Sequence, residues 1–294
     1  MARRRLLIAG AGGLVGRELV DRLADAPWRE RLEGVPLSRA DLDVTDAAAV
    51  AAALDAARPS LVVNCAAYTR VDDAEREVEA AARLNAEAPG LLAAACAARG
   101  IGLVHLSSDY VFDGRKSTPY VETDPVGPLS VYGRTKAHGE RAVADAFEGR
   151  PGASWLIVRT QWLYGRAGPA FVKSVLARAR AGEPLRVVDD QWGAPTYGRD
   201  LAEGLLALVD AGARGIVHVA NAGATTWFGV ARAVLEIVGL EGRVALEPVP
   251  TRAVPRPAAR PAYGVLDCGR YRDLTGRTLR PWREALEAFL TTCS

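Results

Sequence analysis

The chain has little of what builds metal centres and redox switches. Among 294 residues there are four cysteines and three histidines, and Cys65, Cys96, Cys268 and Cys293 stand far apart with no C-x-x-C pair. Cys65 lies within LVVNCAA and Cys96 within LLAAACAARG, apolar settings in which a thiol stays reduced and buried. No metal is expected. No apolar run approaches the roughly 18–20 residues of a membrane-spanning helix, and the start lacks the apolar centre of a signal peptide. The expectation is a soluble, cytoplasmic protein without a membrane partner. Nor is one sign of charge in surplus. Lys and Arg number 37 against 35 Asp and Glu, a net charge of +2, and Arg3-Arg4-Arg5 reads as the solvated lead-in to the apolar run Leu6–Ala9. Nothing here calls for a nucleic-acid polymer as partner.

What the chain has is apolar substance, 49% hydrophobic against 24% charged, ample for a large core. In its first half, β-type runs (RRLLIAG, VPLS, SLVVNCAA, GLVHLSS, SWLIVRT) alternate with runs of helical period. The helical runs are GLVGRELVDRLADA, DAAAVAAALDAA behind an N-cap at Thr45 or Asp46, EVEAAARLNAEAPGLLAAACAARG and SVYGRTKAHGERAVADAF. Strands apolar throughout and separated by helices predict a parallel sheet covered on both faces. The fold class is therefore α/β, a doubly wound Rossmann sheet. After Thr160 the rhythm breaks and Pro and Gly become frequent. A first domain over 1–160 is expected, with segments near 190–222 returning to it, and a smaller second domain over 161–294. Within the latter, PVPTRAVPRPAARP (Pro248 to Pro261) reads as an ordered loop lining a site, followed by strand-like AYGVLD and helix-like PWREALEAFL.

Between the first strand and first helix, AGAGGLVG spaces Gly10, Gly13 and Gly16 as G-x-x-G-x-x-G. Gly10 allows the tight turn, Gly13 lets the backbone approach a pyrophosphate, and Gly16 lets the helix pack close to the sheet. The amides and dipole of that helix start face the anion, which points to a bound dinucleotide. At the end of the second strand, where an acidic residue would hold an NAD ribose, the chain reads Ser38-Arg39. An arginine there suits a 2′-phosphate, so NADPH is expected, with NADH as the alternative.

VYGRTKAHGE places Tyr132 and Lys136 at i and i+4 of one helix, and Val143 and Phe147 continue their face. The preceding strand ends in LSSDYVF, with Ser107 and Ser108 at the crevice of such a sheet. Reducing a ketone with a nicotinamide hydride leaves an alkoxide that needs a proton. A phenol of ordinary pKa about 10 supplies it better when a nearby ammonium lowers that value. A serine hydroxyl would hold the substrate oxygen in line. Asp109 follows the serine pair, and at the ordinary carboxylate pKa of about 3.9 it is a weak base.

These motifs come with NCAAYTRVDDAE, LNAEAP, SSDYVFDG, PYVETDPVGPLSVYGRTKAHGE, RTQWLYG, DDQWGAPT and RPAYGVLD. Over nearly the whole chain they resemble the extended short-chain dehydrogenase/reductases, and within them the dTDP-4-dehydrorhamnose reductase family. The resemblance implies an NADPH-dependent oxidoreductase that reduces the C4 ketone of dTDP-4-dehydro-L-rhamnose to dTDP-L-rhamnose, a nucleotide sugar for surface polysaccharide. It implies Ser108, Tyr132 and Lys136 as the catalytic trio. Cofactor contacts would come from Gly10, Gly13, Leu14, Val15 and Gly16, from Ser38, Arg39, Asp43 and Val44, from Ala66, Ala67 and Tyr68, and from Tyr132 and Lys136. The 4-keto-6-deoxysugar nucleotide would meet Val71, Ser108, Asp109, Tyr110, Tyr132, Trp162 and Arg260. The second domain would then be the sugar-nucleotide domain. The chain departs from the family at Pro169-Ala170, where members commonly carry Asn before the residue matching Phe171. The acidic cluster some members use for a metal at a dimer contact has no residue-by-residue match here, although a homodimer remains compatible. Two alternatives stand beside this reading. One is a 4-ketoreductase of another dTDP-deoxysugar; the other is a non-catalytic NADP-binding subunit resembling the methionine adenosyltransferase β subunit.

Overall fold

A computed structural model describes residues 3–150, 152–168 and 170–292. Cys293 and Pro169 therefore lie outside the described residues. The strands β1 (Arg4–Ala9), β2 (Leu32–Leu37), β3 (Leu61–Asn64), β4 (Gly102–Ser108) and β5 (Trp155–Thr160) form one six-stranded sheet with Gly215–His218. Its order is Gly215–His218, β5, β4, β3, β1, β2, and every pairing is parallel. The chain leaves β1 for β2 on one side and comes back to β3 on the other. This puts the switch point between the carboxyl ends of β1 and β3, where an open α/β sheet binds its ligand.

Strand side chains alternate between two covered faces. Leu6 and Ile8 join Val63, Val104 and Val158 against α1 (Leu14–Leu23) and α8 (Gly198–Asp210). Leu7 and Ala9 join Val62, Leu103 and Ile157 against α3 (Ala47–Ala57), α5 (Ala88–Ala98) and α6 (Val131–Ala146). Asp46 is the N-cap of α3, its carboxylate accepting from the amides of Ala48 and Ala49. Two sequence expectations need correction. β2 begins at Leu32, before VPLS, behind the short helix α2 (Trp28–Arg31). AYGVLD makes only isolated bridges, Tyr263 to Trp192 and Leu266 to Tyr120, because it crosses the crevice mouth rather than joining a sheet.

The helical stretch before β4 divides into α4 (Val78–Ala82), a wide π turn over Arg83–Glu87, and α5. Pro89 explains the division. Its ring clashes with the carbonyl four residues back in a regular α-helix, and the extra residue of the π turn relieves this. The Asn85 carbonyl then faces α6 so closely that a Cβ at Gly139 would stand 2.1 Å from it. Beyond β5, α7 (Phe171–Arg180), α9 (Trp227–Ile237) and α11 (Trp282–Thr291; α10 is Gly269–Thr275) pack a separate core around Tyr164, Tyr197 and Phe289. No helix among the described residues is long and apolar enough to cross a membrane.

Candidate active site

Gly10 leaves β1 at φ +78°, and a Cβ there would stand 2.7 Å from the Ala66 amide nitrogen. A Cβ at Gly16 would fall 2.3 Å from the Gly10 carbonyl, whereas one at Gly13 would only be tight, at 3.3 Å. Backbone thus packs on backbone through this turn, too closely at Gly10 and Gly16 for any side chain. Gly13 is the N-cap of α1 and gives no side-chain cap, so the first amides of that helix stay open to an anion. Val15 is buried in the core and Leu14 packs against it, which leaves their backbone amides for the crevice. These features fit a dinucleotide diphosphate.

At the ribose end, Arg39 is exposed and forms no ion pair among the described residues. Ser38 is already engaged, its amide and hydroxyl donating to Asp41 Oδ2 at 2.8 and 2.6 Å. Asp41, Ser38, Gly12, Arg17 and Arg166 line a cavity of about 550 Å³. Asp43 accepts from the Thr45 amide and hydroxyl, bonds that hold its carboxyl below the usual range, and Val44 is buried beside it. On the β3 side, the Asn64 carboxamide accepts from the Ala66 amide, and Ala67 leads to Tyr68. The fully buried Asn85 grips Tyr68 twice, accepting from its amide at 2.8 Å and donating to its carbonyl at 3.0 Å. The Arg70 guanidinium covers the Tyr68 ring.

Ser108 ends β4, and Ser130 caps α6 by accepting from the Gly133 amide. A Cβ at Gly133 would stand 2.2 Å from the Tyr110 carbonyl, so only glycine lets α6 come this close to the turn after β4. The result brings the Tyr132 phenol up beside Ser108. Ser107 is different: its hydroxyl is buried without a partner among the described residues. Lys136, 2% exposed, donates to the Leu106 carbonyl at 2.5 Å and lies 3.5 Å from His105 Nε2. His105 in turn meets Asn64 through Nδ1 at 3.2 Å. Burial brings the Lys136 ammonium down to about 8, opposed by the charge of Glu140 one turn on.

The expectation that Lys136 lowers the Tyr132 phenol does not hold in the free protein. Burial pushes Tyr132 up to about 12, the neighbouring Ser108 hydroxyl only partly offsets this, and Lys136 is not among the groups acting on it. The phenol keeps its proton, the form a proton donor needs. Asp109 also departs from expectation. It is 2% exposed and lies under Gly264, whose Cβ would come within 2.7 Å of Oδ2. Burial raises its carboxyl to about 7 against the hydrogen bond from Ser108.

Tyr110 stands edge-on to Tyr132 at 5.3 Å between centroids, and the Arg260 guanidinium lies near its phenol. Arg260 pairs both carboxylate oxygens of Asp72, at 2.6 and 2.7 Å, next to Val71. This pair straps the 248–261 loop across the crevice and holds Asp72 down at about 2. Trp162 lies apart from these groups. It adopts φ +46°, unusual for a bulky residue, and stacks on Trp227 at 3.7 Å, with Phe171 edge-on to Trp227. Ala170 precedes Phe171 as an N-cap without a side-chain hydrogen bond. Ser108, Asp109, Tyr110, Tyr132 and Arg260 are therefore linked by direct contacts, while Ser38 and Arg39 lie at the far end of the glycine loop. Asn64, Asn85, His105, Glu140 and Asp72 escaped sequence reasoning. LNAEAP held the one local signal, a proline within a helical run.

The RmlD substrate binding domain profile matches residues 4–294. The chain is 49% identical to the probable dTDP-4,6-dihydroxy-2-methyloxan-3-one 4-ketoreductase of Streptomyces antibioticus, over 97% of this chain and 94% of that protein. It is 43% identical to the dTDP-4-dehydrorhamnose reductase of Streptomyces griseus, over 99% and 95%. The crystal structure of the dTDP-4-dehydrorhamnose reductase of Bacillus anthracis in complex with NADP superposes with a TM-score of 0.92 at 33% identity, covering 99% of this chain and 100% of that one. The chain belongs to the RmlD family of Rossmann-type, NADPH-dependent oxidoreductases, the dTDP-4-dehydrorhamnose reductases.

Proposed function

We propose that the protein reduces the C4 ketone of dTDP-4-dehydro-L-rhamnose, giving dTDP-L-rhamnose. The observation that carries this is the convergence of Ser108, Tyr132 and buried Lys136 at the end of β4, on the same side of the sheet as the glycine loop. The amides of Gly13, Leu14 and Val15 would hold the diphosphate, Arg39 the 2′-phosphate, and Lys136 the nicotinamide ribose. Bound NADPH supplies a hydride to the ketone carbon. Tyr132 gives its proton to the carbonyl oxygen as charge develops there, and Ser108 keeps that oxygen in line. Tyr110, Val71 and the Arg260–Asp72 strap would close the sugar pocket, with Trp162 at its far wall. Residues 1–160 with part of 190–222 would form the cofactor domain, and the rest of 161–294 the sugar-nucleotide domain.

A second substrate is favoured by two observations: 49% identity to a ketoreductase with another dTDP-sugar in its name, and Ala170 in place of the family Asn. The deciding experiment follows NADPH oxidation with dTDP-4-keto-L-rhamnose and with dTDP-4-keto-2,6-dideoxyhexoses, and identifies the products. Turnover of the rhamnose precursor to dTDP-L-rhamnose at the higher kcat/KM supports the first reading. Preference for a dideoxy substrate replaces it.

A further inference from the structure

Asp109 is a carboxylic acid beside the reacting hydroxyls to which the mechanism above gives no work. Its Oδ1 lies 2.9 Å from Ser108 Oγ. Ser108 Oγ also accepts from the Tyr110 amide at 3.2 Å, and the Tyr132 phenol stands close by. A hydroxyl owns one proton and two lone pairs. When Asp109 is ionised it can only accept, so the seryl proton is spent on it. The Tyr110 N–H fills one lone pair, and Ser108 has no proton left to offer a substrate oxygen. When Asp109 carries a proton and donates it, it takes one lone pair and the Tyr110 amide takes the other. The seryl proton is then free to turn towards the crevice.

We propose, on the reading of Ser108 and Tyr132 as the proton-donating pair, that Asp109 is a positioning residue acting as the neutral acid. Its proton, donated to Ser108 Oγ, frees the seryl hydroxyl to donate to the ketone oxygen beside Tyr132. No proton leaves Asp109 in the cycle; the one transferred comes from Tyr132.

The surroundings suit a neutral acid. The groups facing Asp109 are Ser108 and the Tyr110 amide from its own turn, the Tyr110 and Tyr132 phenols, both raised above their ordinary value, and the Gly264 backbone from the RPAYGVLD stretch. Arg260 reaches Tyr110 and Asp72, and Lys136 is bound to Leu106 and His105; neither cation pairs with Asp109. Burial therefore acts on the carboxyl without a cation to oppose it, and the acid form persists to about pH 7. The neutral acid is the working form, so activity is present below that value and is lost as pH rises through it.

The test is the pH profile of kcat in wild type and Asp109→Asn, whose amide can donate but cannot titrate. One pH unit above the midpoint, wild-type kcat should be about a tenth of its low-pH value. Asp109→Asn, whatever its absolute kcat, should lack that limb when its profile is normalised to the low-pH value. A wild-type profile flat through neutrality, or a limb unchanged in Asp109→Asn, overturns the proposal. Infrared spectroscopy of folded wild type, which needs no variant, should show a protonated-carboxyl band that disappears around the same pH. If no such band exists at pH below the midpoint, the proposal fails. Absence of NADPH oxidation with every 4-keto sugar would instead defeat the functional reading, and the infrared band would still report on Asp109.

Discussion

Glu140→Gln isolates one contact that serves both the fold and the site. Arg159 donates to both oxygens of Glu140, at 2.9 and 2.7 Å, and the two side chains are only 3% and 7% exposed. The guanidinium also covers the Phe112 ring at 5.0 Å, in a region with little water. Glutamine keeps the shape and one acceptor oxygen but leaves a buried, uncompensated cation. Removing one partner of such a pair costs about 3–5 kcal/mol. At about 2 °C per kcal/mol for a chain of this size, the melting midpoint should fall by roughly 6–10 °C. Glu140 is also one turn beyond Lys136, and its charge holds the Lys136 ammonium up against burial. Without it, Lys136 loses its proton below the present value of about 8, so the ammonium form is lost earlier as pH rises. If Lys136 holds the nicotinamide ribose, the KM for NADPH should climb earlier on the alkaline side. Calorimetry together with NADPH saturation curves across pH reads both effects. Replacing both partners with apolar residues, Glu140→Leu with Arg159→Met, should recover most of the melting midpoint and none of the KM profile. A Glu140→Gln protein within about 1 kcal/mol of wild type, with an unshifted NADPH profile, would refute the reasoning.

Tyr132→Phe keeps the ring and deletes the proton, so kcat should fall on the order of 10²–10⁴ with NADPH affinity nearly unchanged; near wild-type turnover would remove Tyr132 from the chemistry. Arg39→Ala should raise the Kd for NADPH by about tenfold or more and leave NADH binding alone, since a charge-assisted bond to a 2′-phosphate contributes about 1.5–3 kcal/mol. Equal losses for both cofactors in a fluorescence titration would show that Arg39 does not meet the phosphate. Asn85→Ala strips the buried Tyr68 amide and carbonyl of their partners, at about 1–3 kcal/mol for each group left unpaired. It should weaken NADPH binding more than it raises the KM for the sugar nucleotide, and the reverse order would place Tyr68 on the substrate side.

Several features were determined by local sequence alone. Leu6 to Ala9 is apolar at every position because both faces of a parallel strand are covered, and such a run can be read without knowing its neighbours. The glycines of the first turn and the four-residue spacing of Tyr132 and Lys136 are likewise short-range, set by backbone clearance and helical period. What the groups placed there would do was decided elsewhere. The sequence reading had Lys136 lowering the Tyr132 phenol and Asp109 as an ordinary acid, and burial reversed both. The Gly264 stretch that covers Asp109, the Asp72 partner of Arg260, the Arg159 partner of Glu140 and the Trp227 face under Trp162 all come from distant parts of the chain. Periodicity and spacing are properties of neighbours along the backbone, and the sequence carries them outright. Desolvation and charge pairing depend on every group that closes around a site, and only the tertiary structure brings those groups together.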